Sequence, residues 1–121
     1  MRLGLSIVGL AAVAALLGCV HNVGAGRLVY DKNCVMCHGA EGRGDGDFAD
    51  KLLKLPPDLT ALERVNGGEF PRLRVSESII GDGRGDHFSG AMPEFSDMAG
   101  SGAVASFQLD AVLDYLESIQ E

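Results

Sequence analysis

The chain has 121 residues, enough for one small domain and no more. It is 46% hydrophobic, yet it holds no Trp, two Tyr and five Phe beside 17 Gly, so side chains alone build a thin core and a bound group is expected to fill the middle. The net charge is −7, and no Lys or Arg occurs from Gly85 to Glu121, which excludes the basic footprint that nucleic-acid binding needs.

Met1-Arg2 is followed by an apolar run from Leu3 to Val20, interrupted only by Gly and Ser6. The segment is similar to a bacterial secretory signal, with a short charged start and an apolar middle. It ends in Leu16-Leu17-Gly18-Cys19, which resembles the lipobox of bacterial lipoproteins. On this reading residues 1–18 are a signal peptide, Cys19 carries the lipid, residues 19–25 are a tether and residues 26–121 are the domain. Three cysteines is an odd number for an exported chain, and Cys19 is the one left over once Cys34 and Cys37 are taken together. Two other readings stay open. Ordinary signal cleavage at Val23-Gly24-Ala25 would release a soluble protein, and the 18-residue run from Leu3 to Val20 would otherwise be retained as an anchor. All three export the domain.

A helical pattern then leads into Cys34-Val35-Met36-Cys37-His38, the C-x-x-C-H sequence of c-type haem attachment. Two thiols at this spacing on one helical turn can each add across a vinyl group of the porphyrin. The adjacent His binds the iron through a ring nitrogen. Cys34 and Cys37 are therefore the expected haem-bonding residues, and His38 is the expected iron ligand. A thioredoxin-like C-x-x-C follows a strand in a βαβ pattern, which this sequence lacks. A structural zinc site needs four ligands at fixed spacing, and neither His21 nor His87 completes one.

The flanks carry a closer likeness. Gly26-x-x-x-Tyr30-x-x-x-Cys34 precedes the motif, and Gly39-Ala40-Glu41-Gly42-Arg43-Gly44-Asp45-Gly46 follows it. From about Gly26 to Ile119 the chain resembles a class I c-type cytochrome of the bacterial monohaem kind. The resemblance implies an all-α fold whose N- and C-terminal helices cross, with shorter helices and Gly-rich loops around one covalent haem c. It also implies that Gly26 and Tyr30 pack against an aromatic of the last helix, here in the pair Tyr115-Leu116. In that helix Leu109, Val112, Leu113, Leu116 and, less regularly, Ile119 follow a helical period, and Ser106 is the expected N-cap. Gly26 has no side chain to hold the two helices apart.

Between these helices, Phe48 to Leu55 is expected to form a short helix stopped by Pro56-Pro57. Ser76 to Ile80 is expected to form another, which places Ile79 or Ile80 on the haem. Pro57-Asp58-Leu59-Thr60 resembles a turn of these cytochromes. The resemblance implies that a backbone carbonyl near a Pro fixes the His tautomer; Pro56, Pro57 and neither are all open. Arg64, Arg72 and Arg74 are unranked candidates for the haem propionates. Gly42-Arg43-Gly44-Asp45 recurs as Gly83-Arg84-Gly85-Asp86, but a lone C-x-x-C-H argues against a dihaem duplication. Asp45-Gly46-Asp47 lacks the Gly and distal Glu of a calcium loop. Both Gly-rich stretches are read as turns that let backbone approach the porphyrin.

Ala91-Met92-Pro93-Glu94-Phe95 resembles the family's M-P-x-F loop, which implies that Met92 binds the iron opposite His38. It falls 54 residues after His38, and Pro93 restricts Met92 to extended conformations. Met36 is too near His38 to reach the other haem face, Met98 lacks the Pro, and His87 is the rival sixth ligand. A His–Met pair leaves no open iron position and favours Fe(II), so the available chemistry is one-electron transfer through the porphyrin edge. The expectation is an electron carrier, not an enzyme, at the periplasmic face of a bacterial membrane. Its partners are a redox protein donor and acceptor, expected among membrane-bound respiratory or dehydrogenase complexes. The alternatives are a haem subunit of a periplasmic oxidoreductase, a haem-based sensor if Met92 is displaceable, and an exported thiol redox protein without haem. The acidic C-terminal stretch suggests steering toward a basic partner.

Overall fold

A computed structural model describes residues 22–82, 91–95 and 102–121. Among the described residues, helices run in the order α1 (22–33), α2 (Val35–His38), α3 (Leu62–Val65), α4 (Arg72–Ile80) and α5 (Ala103–Ser118). Short 3-10 turns lie at Ala49–Lys51 and Leu59–Ala61. The described residues contain no strand, in keeping with the expected all-α fold. None of their helices is long and apolar enough to cross a membrane. The apolar leader, Cys19, His21, Gly83 to Asp86, His87 and Met98 lie outside the described residues. Residues 22–25, assigned to the tether, are part of α1, and the Asn22 side-chain amide donates to the Asp114 carboxylate of α5.

Helices α1 and α5 meet where Gly26 lies on Ala111. A Cβ added to Gly26 would fall 1.9 Å from the Ala111 carbonyl oxygen, so the missing side chain sets how closely the helices approach. One turn on, Tyr30 is fully buried and tilts against Tyr115, with ring centroids 5.2 Å apart. Around this pair Phe70, Ile79, Phe95, Val112, Leu113 and Leu116 complete the core. Arg27 closes the outer side, its Nη1 donating to the Tyr115 hydroxyl at 2.9 Å and its Nε pairing with Asp31 at 2.8 Å.

Three expectations change. Helix α5 begins at Ala103, so Ser106 lies inside its first turns, and its hydroxyl donates to the Gly102 carbonyl instead of capping. The segment Phe48 to Leu55 shrinks to the turn Ala49–Lys51, with Leu52 extended ahead of the two prolines. Helix α4 starts at Arg72, ahead of Ser76, and buries Ile79 while leaving Ile80 37% exposed.

Arg72 also changes role. It pairs with Asp110, Asp114 and Glu117 of α5 at 3.6, 2.7 and 3.3 Å, and Arg43 pairs with Glu121 at 2.7 Å. These half-exposed pairs each contribute at most about 1 kcal/mol. Their effect on charge is larger, because most of the described acidic groups of the last 37 residues face the chain's own arginines. Three carboxylates on one guanidinium still leave an acidic excess along α5, and Arg72 is engaged there rather than standing free for a propionate.

Asp58 caps the turn Leu59–Ala61, its Oδ1 accepting from the Thr60 amide at 2.9 Å and the Thr60 hydroxyl at 2.6 Å. Thr60 is 3% exposed, so its hydroxyl has no water to turn to. Asp58→Ala is expected to destabilise by about 1 kcal/mol, lowering Tm by roughly 4–8 °C. The Thr60 hydrogen bonds hold the Asp58 carboxyl below its ordinary value. The stabilisation is therefore complete above the unfolded-state pKa and is lost as pH falls through the folded one. Melting curves of both proteins from neutral to strongly acidic pH check this: the gap between them should narrow on acidification.

Candidate functional site

The C-x-x-C-H residues form a single turn that continues α1 through a kink at Cys34. The Cys34 amide donates to the Tyr30 carbonyl at 2.8 Å, and the Cys34 carbonyl accepts from the Cys37 and His38 amides at 3.2 and 2.9 Å. Cys34, Cys37 and His38 are all partly buried, and both cysteines are free thiols. The expected trio thus comes together on one turn, as its spacing requires.

The following loop folds back onto this turn. The amides of Gly44, Gly46 and Phe48 donate to the carbonyls of His38, Cys37 and Met36 at 2.8, 3.2 and 2.9 Å. Those are the carbonyls that a helix end leaves without partners. Backbone lies directly on backbone, so there is no room for a side chain. A Cβ on Gly46 would sit 2.4 Å from the Met36 carbonyl oxygen, and one on Gly44, at φ 81°, would sit 2.3 Å from that of Pro56. The glycines were expected to let backbone come close to the porphyrin; what they bring close here is another stretch of backbone. They admit the chain itself, which forms a collar around the attachment turn.

Burial, with Cys37 alongside, pushes the Cys34 thiol up to about 11, so its sulfur is neutral. Burial also lowers the pKa of His38, opposed by the Pro57 carbonyl, and keeps the imidazole in the neutral form that binds a metal. The buried His38 Nδ1 makes no hydrogen bond of standard geometry among the described residues. The Pro57 carbonyl is the backbone acceptor that faces it, and of the two prolines this is the one that bears on the tautomer. A proton held at Nδ1 leaves the Nε2 lone pair for a metal. Two thiols one turn apart, a neutral imidazole beside them and a largely apolar setting fit a covalently held haem.

Met92 is partly buried and packs on the same core cluster as Cys34 and Val35, close in sequence to the buried Phe95. Met36 is 47% exposed. The structure therefore brings the M-P-x-F methionine and the attachment turn onto one core, while Cys19 and His87 lie outside the described residues. One contact escaped the sequence reading. Tyr30 was expected only to pack, yet its hydroxyl donates to the Gly39 carbonyl at 2.6 Å. The choice of Tyr where a Phe ring would pack as well is the signal for it.

Comparison with known proteins agrees with this geometry. The family described as Cytochrome c matches residues 23–120. Cytochrome c550 of Pseudomonas aeruginosa is 30% identical over 95 residues, which cover 78% of this chain and 53% of the relative. The chain thus spans about half the length of the curated relative it matches. No solved structure matches significantly.

Proposed function

Because this chain belongs to the cytochrome c family and carries a covalently bound c-type haem, we propose that it is a one-electron carrier with its haem bonded to Cys34 and Cys37 and its iron held between His38 and Met92. The haem supplies an Fe(III)/Fe(II) couple. The observation that carries the proposal is the collared C-x-x-C-H turn, on which a neutral His38 stands beside two thiols. The collar keeps His38 from swinging away, and burial keeps a proton from competing for its nitrogen. With haem bound, the Met92 thioether, from its proline-backed loop on the same core, would serve as the second iron ligand and leave no site for water, O₂ or peroxide.

The same reading places the domain outside the cytoplasm, at the periplasmic face of a bacterial membrane, with Cys19 as the lipid attachment. The apolar run Leu3 to Val20 with Leu16-Leu17-Gly18-Cys19 supports this, as does the likeness to a bacterial cytochrome c550. Its partners are then redox proteins at that membrane, acting as donor and acceptor.

The test joins two measurements on haem-loaded protein. Haem should stay with the polypeptide through a denaturing gel in the wild type and be lost when Cys34 and Cys37 are both replaced by Ser. The reduced wild type should show no spectral change under CO. Rapid CO binding would turn the reading toward a ligand sensor, and haem that leaves the wild type on denaturation would remove the covalent attachment altogether.

A further inference from the structure

We infer that Tyr30 is a positioning residue for His38, because this one side chain and its own backbone hold the attachment turn at both ends. The inference rests on the haem reading of Cys34, Cys37 and His38. At the start of the turn, the Tyr30 carbonyl accepts the Cys34 amide at 2.8 Å; at its end, the Tyr30 hydroxyl donates to the Gly39 carbonyl at 2.6 Å. Gly39 directly follows the iron ligand. The backbone of His38 and Gly39 is held at three further points: the Gly39 amide on the Val35 carbonyl at 2.9 Å, the His38 amide on the Cys34 carbonyl, and the His38 carbonyl under the Gly44 amide.

Tyr30 can anchor this peptide because it cannot itself move. It is 0% exposed, tilted on Tyr115 and enclosed by the core of α1 and α5. Burial also pushes its phenol well above its ordinary value, so the group remains a donor at any physiological pH. The packing between the terminal helices is thereby transmitted to the residue that sets the imidazole plane. Phe at this position would keep the packing and leave the buried Gly39 carbonyl with only the Gly42 amide at 3.2 Å, loosening the 39–40 peptide that directly follows the iron ligand.

Tyr30→Phe and Tyr115→Phe, both haem-loaded, separate positioning from packing. The readouts are the proton NMR shifts of the haem methyls in the ferric protein, which report the orientation of the axial ligand planes, and the reduction potential. Tyr30→Phe is expected to change the order or spread of the methyl shifts, move the potential, and speed exchange of the Gly42 and Gly44 amides at least tenfold. Tyr115→Phe loses its bond to Arg27, does not touch the turn, and is expected to match the wild type. A Tyr30→Phe protein with the wild-type methyl pattern and potential overturns the inference. The wild type supplies a reading that needs no variant: a slowly exchanging Tyr30 hydroxyl proton close to Gly39, whose absence also overturns it. A wild-type chain that takes up no haem overturns the proposed function, and this inference with it.

Discussion

Met92→Ala is expected to abolish the weak red absorption band that thioether sulfur gives on ferric iron, and to lower the reduction potential by on the order of 0.1–0.3 V. The shift is a fraction of the roughly 0.8 V over which axial ligands tune haem. Loss of the sulfur donor also opens one coordination position, so the reduced variant should bind about one CO per haem where the wild type binds none. The variant should still fold. Met92 is only partly buried, so the packing loss sits at the low end for Met→Ala, about 2 kcal/mol, and the neighbouring Phe95 remains in the core. A red band that survives in Met92→Ala would remove Met92 as a ligand and turn attention to His87.

Gly26→Ala should strongly destabilise the crossing of α1 and α5. The added Cβ would meet the Ala111 carbonyl oxygen at 1.9 Å and the Tyr115 Cβ at 2.8 Å. The Ala111 carbonyl oxygen and carbon are helix backbone and cannot turn aside, so α1 and α5 must separate along the contact that carries Tyr30 and Tyr115. Overpacking of this kind costs about 3 kcal/mol, well beyond the roughly 1 kcal/mol that Ala gains over Gly in a helix. A net loss near 2 kcal/mol lowers Tm by about 8–16 °C. Gly24 provides the opposite case on the same helix. A Cβ there meets nothing within 4 Å, so Gly24→Ala should keep the helix-propensity gain and raise Tm by a few degrees. Thermal melts of the two variants side by side check both signs. Equal shifts would mean that the helix crossing does not depend on Gly26.

The residues that were legible in the sequence share a property: their chemistry is carried by neighbours along the chain. Cys34, Cys37 and His38 needed only one helical turn to come together, and spacing alone implied that turn. The helical period of Val112, Leu113 and Leu116 likewise marked the buried face of α5. The resemblance supplied the partner of that face, and Gly26 on Ala111 with Tyr30 on Tyr115 bears it out. Boundaries were harder. Ser106 has the chemistry of an N-cap, but the helix runs past it to Gly102 because nothing local compels it to stop.

What only the tertiary structure decided are the contacts between residues far apart in the chain. Pro57 faces His38 because Gly44 lets the Pro56 backbone lie against the collar. Arg72 reads in sequence as a basic group free for a propionate, and it is matched to three acids only once α4 lies along α5. The Tyr30 hydroxyl finds the Gly39 carbonyl only after the chain has turned back beyond His38. Covalent spacing and helical period are local and repeat wherever the residues do, so the sequence by itself determined the haem attachment chemistry and the helical class. The partners of a carbonyl, a guanidinium or a phenol depend on how the whole chain closes on itself, and no short stretch of residues contains that information.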